Sequence, residues 1–377
     1  AQGVRELCHM FASISLFALW HQCAPLWSAP PVHLRGIRGL RGAHRSSTGR
    51  WRTPWMMIGT SNNAPVVACN AMETNENSPC STRQLTLLTW NTLAPVYFRQ
   101  RGRDGWHTEA DQPRLYCSRH ERICDAIKAC GADIVCLQEY WFQPAVIALY
   151  DERLGAVGYR REALRRTAWN SAGRSEDGVA VFLLERSFAM VGRCEVKFQN
   201  FGIPQDRVAL LLTLCDAQSP GKELAVLCTH LTYPHSVFDA RARDAQMSVC
   251  LEEAAKHLQG DTLIVAGDLN GPSTDDVADR LRQAGLESAW DVVHGRPCKV
   301  THVDHRGNQF ASDHVWFRGS LRAIKAQLLP VGVADKEQLS RPKVGAAATS
   351  GPEMPSSLVA WCDLSDHRPL LTSFSWS

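Results

Sequence analysis

The sequence has no apolar run long enough to cross a bilayer. The nearest, Met10–Trp20, reaches about half of the roughly 18–20 residues a membrane helix needs, so no integral membrane segment is expected. It has no Cys-x-x-Cys pair, and its fourteen cysteines follow neither zinc nor disulfide spacing. Cys136, Cys215 and Cys228 fall inside apolar, strand-like runs and read as small reduced core residues. That usage argues against secretion and favours an intracellular compartment, cytoplasm or nucleus. A broad charge of one sign is also missing: 41 basic and 38 acidic residues in 377 leave a net of +3. The excess belongs to residues 1–82, with seven arginines against three acids, while the rest of the chain is at −1. A body that neutral has no wide polyanion-binding field. If it handles phosphates, it must do so at a local site or through a metal. There is no short-period repeat and no Asp-x-Asp-x-Asp-Gly calcium loop. The 45% hydrophobic share excludes a disordered or collagen-like chain.

Two regions are present. Residues 1–82 are Arg- and Ser-rich and acid-poor, and read either as a disordered leader or as an organellar or secretory targeting segment. Residues 83–377 have the texture of a folded catalytic body, with 331–358, rich in Gly, Ala, Ser and Pro, expected as a surface loop. Short apolar runs occur at Gln84–Trp90, Asp133–Leu137, Gly178–Leu184, Val208–Leu214, Leu224–Thr229, Thr262–Ala266, His314–Phe317 and Pro369–Phe374. Each is four to eight residues long and bounded by turn formers or charges, as buried strands are. Helical patterns lie at Arg119–Cys130, Phe238–Leu258 and Asp275–Ala284. The alternation predicts an α/β fold with sheet as its core.

Several of these runs end in residues that are costly to bury. Asn91, Gln138-Glu139, His230, Asp268-Leu269-Asn270, Ser312-Asp313 and Asp366-His367 all sit at strand ends. Strands hold their end residues rigidly, which suits a catalytic constellation. Carboxylates, carboxamides and imidazoles are hard ligands and proton-transfer groups, suited to Mg²⁺ or Mn²⁺ rather than to a thiolate metal. Taken singly, each residue is as well explained by a solvated strand end, an Asx turn or a cap.

In chain order they read TWN (Thr89–Asn91), LQE (Leu137–Glu139), THL (Thr229–Leu231), GDLN (Gly267–Asn270), SDHVWF (Ser312–Phe317) and SDHRP (Ser365–Pro369). That series resembles the endonuclease/exonuclease/phosphatase superfamily, the DNase-type metal-dependent phosphoesterases. TWNTLAP, DGVAVFL (Asp177–Leu183) and DRVALLL (Asp206–Leu212) resemble the carbon catabolite repressor and nocturnin deadenylases. THLTYPHS (Thr229–Ser236) and THVDHRGNQFASDHVWF (Thr301–Phe317) look like plant and algal relatives of those deadenylases. His314 departs from the pattern, since relatives carry an aromatic there.

The resemblance implies a four-layer α/β/β/α sandwich with two packed mixed sheets. It implies a Mg²⁺-dependent phosphodiester hydrolase, with Mn²⁺ able to substitute. Glu139 becomes the main metal ligand, supported by Asn91, with Asp366 adding a carboxylate through water. Asp268 orients or deprotonates the attacking water, and Asn270 holds a nonbridging oxygen. His367 contacts the phosphate with Asp313 setting its tautomer, and His230 stabilises developing charge. The expected activity is a 3′–5′ exoribonuclease of deadenylase-like type acting on single-stranded RNA. The alternatives are a phosphatase or phosphodiesterase on a nucleotide, inositol phosphate or sphingolipid head group, and a non-catalytic scaffold. Tyr140, Trp141, Trp169, Arg207 and Phe238 are the candidates for gripping an RNA 3′ end.

Overall fold

Apolar residues alternate along the central strands, and both alternate sets are buried, so each sheet must be covered on both faces. The computed structural model describes residues 83–102, 105–167, 176–304, 306–331 and 363–377. The leader and most of the expected 331–358 loop lie outside these residues. The strands in chain order are β1 (Arg83–Asn91), β2 (Arg99–Gly102), β3 (Gly105–Thr108), β4 (Ile134–Trp141), β5 (Tyr159–Arg165), β6 (Asp177–Leu184), β7 (Phe188–Lys197), β8 (Val208–Asp216), β9 (Glu223–His230), β10 (Leu263–Asp268), β11 (Glu287–Ser288), β12 (His302–Val303), β13 (Gln309–Phe310), β14 (Asp313–Arg318), β15 (Leu321–Leu328) and β16 (Leu370–Trp376). The α-helices are α1 (Pro113–Cys130), α2 (Pro144–Gly155), α3 (Val237–His257), α4 (Asp276–Gln283) and α5 (Ala289–His294).

Two six-stranded mixed sheets form, ordered β15-β16-β1-β4-β6-β5 and β11-β14-β10-β9-β8-β7. One side of each sheet faces the other. Leu85, Leu87, Ile134 and Cys136 from the first sheet pack with Val226, Cys228, Ile264 and Ala266 from the second. The opposite side of the first sheet, with Leu88, Trp90, Val135 and Leu137, is covered by Ile123 and Ile127 of α1 and Val146 and Tyr150 of α2. The outer side of the second sheet, with Leu227, Leu263 and Val265, is covered by Met247 and Cys250 of α3 and Leu281 of α4. This is the expected four-layer sandwich. Among the described residues no helix is long and apolar enough to cross a membrane.

Each sheet is largely antiparallel but contains one central parallel pair, β1 with β4 and β9 with β10. Parallel neighbours end on the same side. Asn91 therefore pairs in register with Gln138, and His230 with Asp268. The carboxyl ends of parallel strands are where open α/β sheets place ligands. Here two such ends, one per sheet, are brought together.

The glycine of GDLN is required by this pairing. Gly267 lies opposite Thr229 at φ +148°, and a Cβ there would sit 2.0 Å from the Thr229 carbonyl oxygen. Gly267→Ala is expected to cost about 1–3 kcal/mol, the scale of overpacking. It should also lower activity, because His230 and Asp268 flank that contact. A urea titration checks the first expectation, and unchanged stability would refute it.

Candidate active site

Period-two alternation aims most of the site. Asn91 lies on the same face of β1 as Leu85 and Leu87, and His230 on the same face of β9 as Val226 and Cys228. Asp268 shares its face with Ile264 and Ala266, and Asp313 with Val315 and Phe317. All four therefore stand at one end of the space between the sheets. Glu139 is different. Strict alternation puts it with Val135 and Leu137 on the helix-covered outer face. A β-bulge between Gln138 and Tyr140 breaks the ladder there, and Glu139 adopts φ +55°. The bulge turns the carboxylate inward and restores the outer-face parity at Tyr140. Among the described residues the non-glycine positions with positive φ are Leu93, Glu139 and Asn270. All three belong to this site, and backbone strain of this kind collects where function over-determines geometry.

The side chains converge on Asp268. Its Oδ2 accepts from Asn91 Nδ2 at 3.0 Å, and lies 3.4 Å from His230 Nε2 and 3.8 Å from His367 Nε2. Its other oxygen accepts from the Asn270 backbone N–H at 3.0 Å. Asn91 Nδ2 also reaches Glu139 Oε1 at 3.3 Å, and Glu139 Oε2 accepts from the Ala94 N–H at 2.8 Å. The Asn91 amide is oriented by the Leu93 N–H, which donates to its Oδ1 at 3.0 Å. The contacts of Asp366 run instead to the imidazoles of His302, at 3.5 Å, and His367, at 3.9 Å. Asn270 Nδ2 donates to the Leu231 carbonyl at 2.8 Å.

Protonation states follow from the contacts. Arg207 Nη1 lies 2.7 Å from His230 Nδ1. A guanidinium only donates, so Nδ1 accepts and Nε2 carries the proton, facing Asp268. Burial and the charge of Arg207 keep this imidazole well below its usual pKa, hence neutral. His367 is the opposite case. Burial opposes its charge, but the Asp313 carboxylate, 2.8 Å from Nδ1, outweighs that penalty and the pKa is pushed up to about 10. Asp313 is also held by Thr301 Oγ1 at 2.7 Å. Burial works against its ionisation, but His367 and these hydrogen bonds hold its carboxyl below the usual range. Burial raises Asp268 despite the attraction of His367.

Asp313→Asn removes the charge that keeps His367 protonated. The His367 pKa should then fall toward the ordinary 6.5. The imidazolium, fully present in the parent at neutral pH, will be lost in the variant as pH rises through the lower value. Titration of the imidazole ¹⁵N resonances reads this directly, and an unmoved His367 would refute the coupling.

Supporting contacts lock the loops. Ser365 Oγ donates to the Asn91 carbonyl at 2.7 Å, and Trp90 Nε1 to the His367 carbonyl at 3.0 Å. His314 is buried, with Nε2 2.8 Å from the Gly271 carbonyl, so the departure from an aromatic ties down the loop after Asn270. Arg243 holds the same loop through the Leu269 carbonyl at 3.1 Å and Asp275 at 2.7 Å.

Beside Glu139 opens a cavity of about 330 Å³ lined by Tyr97, Arg166, Arg207, Tyr233 and His235. Arg166 is fixed by Asp177 at 3.4 Å and Asp206 at 3.2 Å. The Tyr233 and His235 rings meet at 4.6 Å between centroids, and Phe238, nearby on α3, is 80% exposed. Arg207 thus belongs to the site, where it also orients His230. Two of the aromatic candidates are corrected. Tyr140 and Trp141 are buried in the outer core that α1 and α2 cover, and the bulge is what turns Tyr140 to that face. Trp169 lies outside the described residues. Cys215, expected in the core, is only half-buried at the end of β8, while Cys136 and Cys228 are fully buried.

Sequence reasoning missed His302. It pairs with His367 across an isolated bridge, and the two rings stack with centroids 3.9 Å apart and planes within 7°. Its only signal is its place in the THVDHRG stretch between two apolar or hydroxyl neighbours.

The two sheets thus deliver buried carboxylates and imidazoles to one point, with one imidazole charged and one neutral. The chain belongs to the endonuclease/exonuclease/phosphatase family, whose model matches residues 88–367. Enzymes of this family generally depend on a divalent metal. An uncharacterized calcium-binding protein of Arabidopsis thaliana is 30% identical over 276 residues, covering 68% of this chain and 55% of the relative. The chain thus spans little more than half that relative's length. Human nocturnin is 22% identical over 316 residues, covering 79% of this chain and 67% of nocturnin. The structure of the human nocturnin catalytic domain with bound sulfate superposes with a TM-score of 0.55, covering 78% of this chain and 94% of that one. That of ANGEL2, described as a 2′,3′-cyclic phosphatase, gives 0.57 at 18% identity, covering 79% and 97%. At these identities the structural likeness establishes the fold.

Proposed function

We propose that this chain is a Mg²⁺-dependent phosphodiester hydrolase that shortens single-stranded RNA from its 3′ end, as deadenylases do. The observation that carries this reading is Glu139, turned by the bulge to the wall of a cavity with two arginines. A divalent cation fits the donor set. Glu139 has one oxygen held by a backbone N–H and the other at a long 3.3 Å contact with Asn91, 4.0 Å from His230 Nδ1. Asp268 is a buried carboxylate raised by desolvation, which a nearby cation relieves. Glu139 is the ligand in this reading, and Asp366 adds a carboxylate through water. Asn91 serves differently from the expectation. With its Oδ1 engaged by Leu93 N–H, its Nδ2 faces both carboxylates, so it positions Glu139 and Asp268 rather than binding metal through oxygen. When bound, the ion neutralises phosphate charge and stabilises the leaving oxygen.

The chain's own groups supply the rest. Asp268 orients the attacking water and takes its proton, a task to which its raised pKa suits it. His367, held charged by Asp313, donates to a nonbridging oxygen and is a poor base at neutral pH. Neutral His230 offers its Nε2–H to the developing charge. The second N–H of the Asn270 amide is available to another phosphate oxygen. Arg207 and Arg166 give the cavity wall its positive charge. Tyr233, His235 and Phe238 offer faces for stacked bases at the RNA end. The neutral body supports a short footprint rather than a long duplex.

The cavity itself favours one second reading. About 330 Å³ is within the range of small-molecule sites, so the substrate can be a nucleotide or another phosphorylated small molecule, such as an inositol phosphate or a sphingolipid head group. The test gives the protein labelled poly(A) RNA, NADPH, an inositol phosphate and sphingomyelin, each with Mg²⁺ and with chelator. Stepwise, chelator-sensitive shortening of RNA from its 3′ end is expected. Turnover confined to a small molecule would overturn the exoribonuclease reading in favour of the second.

A further inference from the structure

We propose that Cys194, Glu253 and His257 form a zinc site, remote from the catalytic cluster, that clips the last turn of α3 to strand β7. A thiol sulfur, a carboxylate oxygen and an imidazole nitrogen from these residues lie within 4.8 Å of one another. The three come from two elements. Glu253 and His257 are one helical turn apart on α3, so they share a face. Cys194 comes from β7, the edge strand of the second sheet, and packs against the core under α3.

The donor chemistry selects the metal. One sulfur, one nitrogen and one oxygen suit Zn²⁺, whereas Mg²⁺ and Ca²⁺ take oxygen alone. With Zn–S near 2.3 Å and Zn–N and Zn–O near 2.0–2.2 Å, tetrahedral donors stand roughly 3.3–3.8 Å apart. The Glu253 and His257 donors, 4.0 Å apart, therefore need to close by only a fraction of an ångström, and no pair in the cluster exceeds 4.8 Å. The residue best able to close it is His257, whose side chain is 48% exposed at the helix end. The two Glu253 oxygens are already divided. Lys256 Nζ takes Oε1 at 2.6 Å, while Oε2 faces His257 Nε2 at 4.0 Å. The fourth position has room for water, because a cavity of about 200 Å³ opens beside Cys194 and His257.

The site has a reason to matter beyond its own residues. The same helix carries Gln246, which bonds both the backbone N–H and the hydroxyl of Thr232. It also carries Arg243, which holds the Leu269 carbonyl of the GDLN loop. A clip at the far end of α3 stiffens the rod on which both catalytic loops hang. It also ties down an exposed sheet edge.

The test uses the full chain in saturating Mg²⁺, titrated with Co²⁺ as a visible stand-in for zinc. One equivalent is expected to produce a near-ultraviolet thiolate-to-cobalt charge-transfer band, which Zn²⁺ then abolishes by displacement. Zn²⁺ should also raise the unfolding temperature. Cys194→Ser should abolish the band. His257→Ala, a change at an exposed position that leaves the core intact, should weaken binding by more than the roughly 10–100-fold typical of losing an outer-shell partner. Absence of the band in the parent protein overturns the proposal. So does a band that survives in Cys194→Ser, or Co²⁺ affinity unchanged in His257→Ala. RNA cleavage by the parent does not enter these readouts, so the two assignments fail separately.

Discussion

Glu139→Gln should abolish Mg²⁺-dependent turnover, by at least about 10³-fold, and leave the fold standing. A metal-stabilised transition state draws several kcal/mol from charge neutralisation, and each 1.36 kcal/mol is a factor of ten. Glutamine keeps an oxygen for the Ala94 N–H but cannot present an anionic ligand. Stability should hold for a simple reason. Glu139 and Asp268 are buried carboxylates sharing one amide donor, Asn91 Nδ2. Neutralising one of them removes a repulsion, so the unfolding temperature should stay level or rise. Single-turnover RNA cleavage with and without Mg²⁺, beside a thermal melt, decides the matter. A variant within tenfold of the parent rate would mean that Glu139 holds no catalytic ion.

Arg119→Met should cost about 3–5 kcal/mol, the usual penalty for stripping one partner from a buried ion pair. The Arg119 guanidinium is 3% exposed and fully engaged. It meets both oxygens of Glu109, at 3.1 and 2.9 Å through Nε and 2.6 Å through Nη2. Its remaining donors hold the carbonyls of Thr92, Leu93 and Leu364 at 2.7–2.8 Å. Methionine fills the volume but leaves Glu109 buried and uncompensated, with three carbonyls short of a donor. The loop so released contains Leu93, with φ +53°, and Ala94, whose N–H holds Glu139. Activity should fall with stability. The double variant Glu109→Met with Arg119→Met removes the stranded charge and should recover part of the loss. A single variant less than about 1 kcal/mol below the parent in urea unfolding would show that this pair is not structural.

Much of this was readable before any coordinates. Eight strands, three helices and the acids that the fold brings together announced themselves, because buried strands read as apolar runs and their polar ends stand out against them. What escaped notice has a common cause. β5, β7 and β15 alternate buried and exposed residues at sheet margins, and the charges of YRREALR in β5 hide its pairing. Helix α2 buries Val146, Tyr150 and Leu154 but begins with a run apolar on every side, so no stripe is visible. The position of Glu139 was legible and its direction was not, since a bulge has no signature in a period-two reading. That same bulge defeated the assignment of Tyr140 to substrate, by turning it to the outer face. Arg207 was named as a substrate contact, but its grip on His230 Nδ1 appears only when two strands are paired. The Cys194 cluster joins a strand to a helix far along the chain, beyond the reach of any spacing rule.

No half of this molecule owns the chemistry. Asn91, Glu139 and His367 depend on one sheet, while His230, Asp268 and Asp313 depend on the other, and the Asn91–Asp268 and His367–Asp313 bonds are the stitches between them. Any loosening that lets the layers slide will silence the enzyme while every strand and helix is still formed. Loss of turnover on warming should therefore precede loss of secondary structure, making activity itself the most sensitive gauge of how tightly the sandwich is closed.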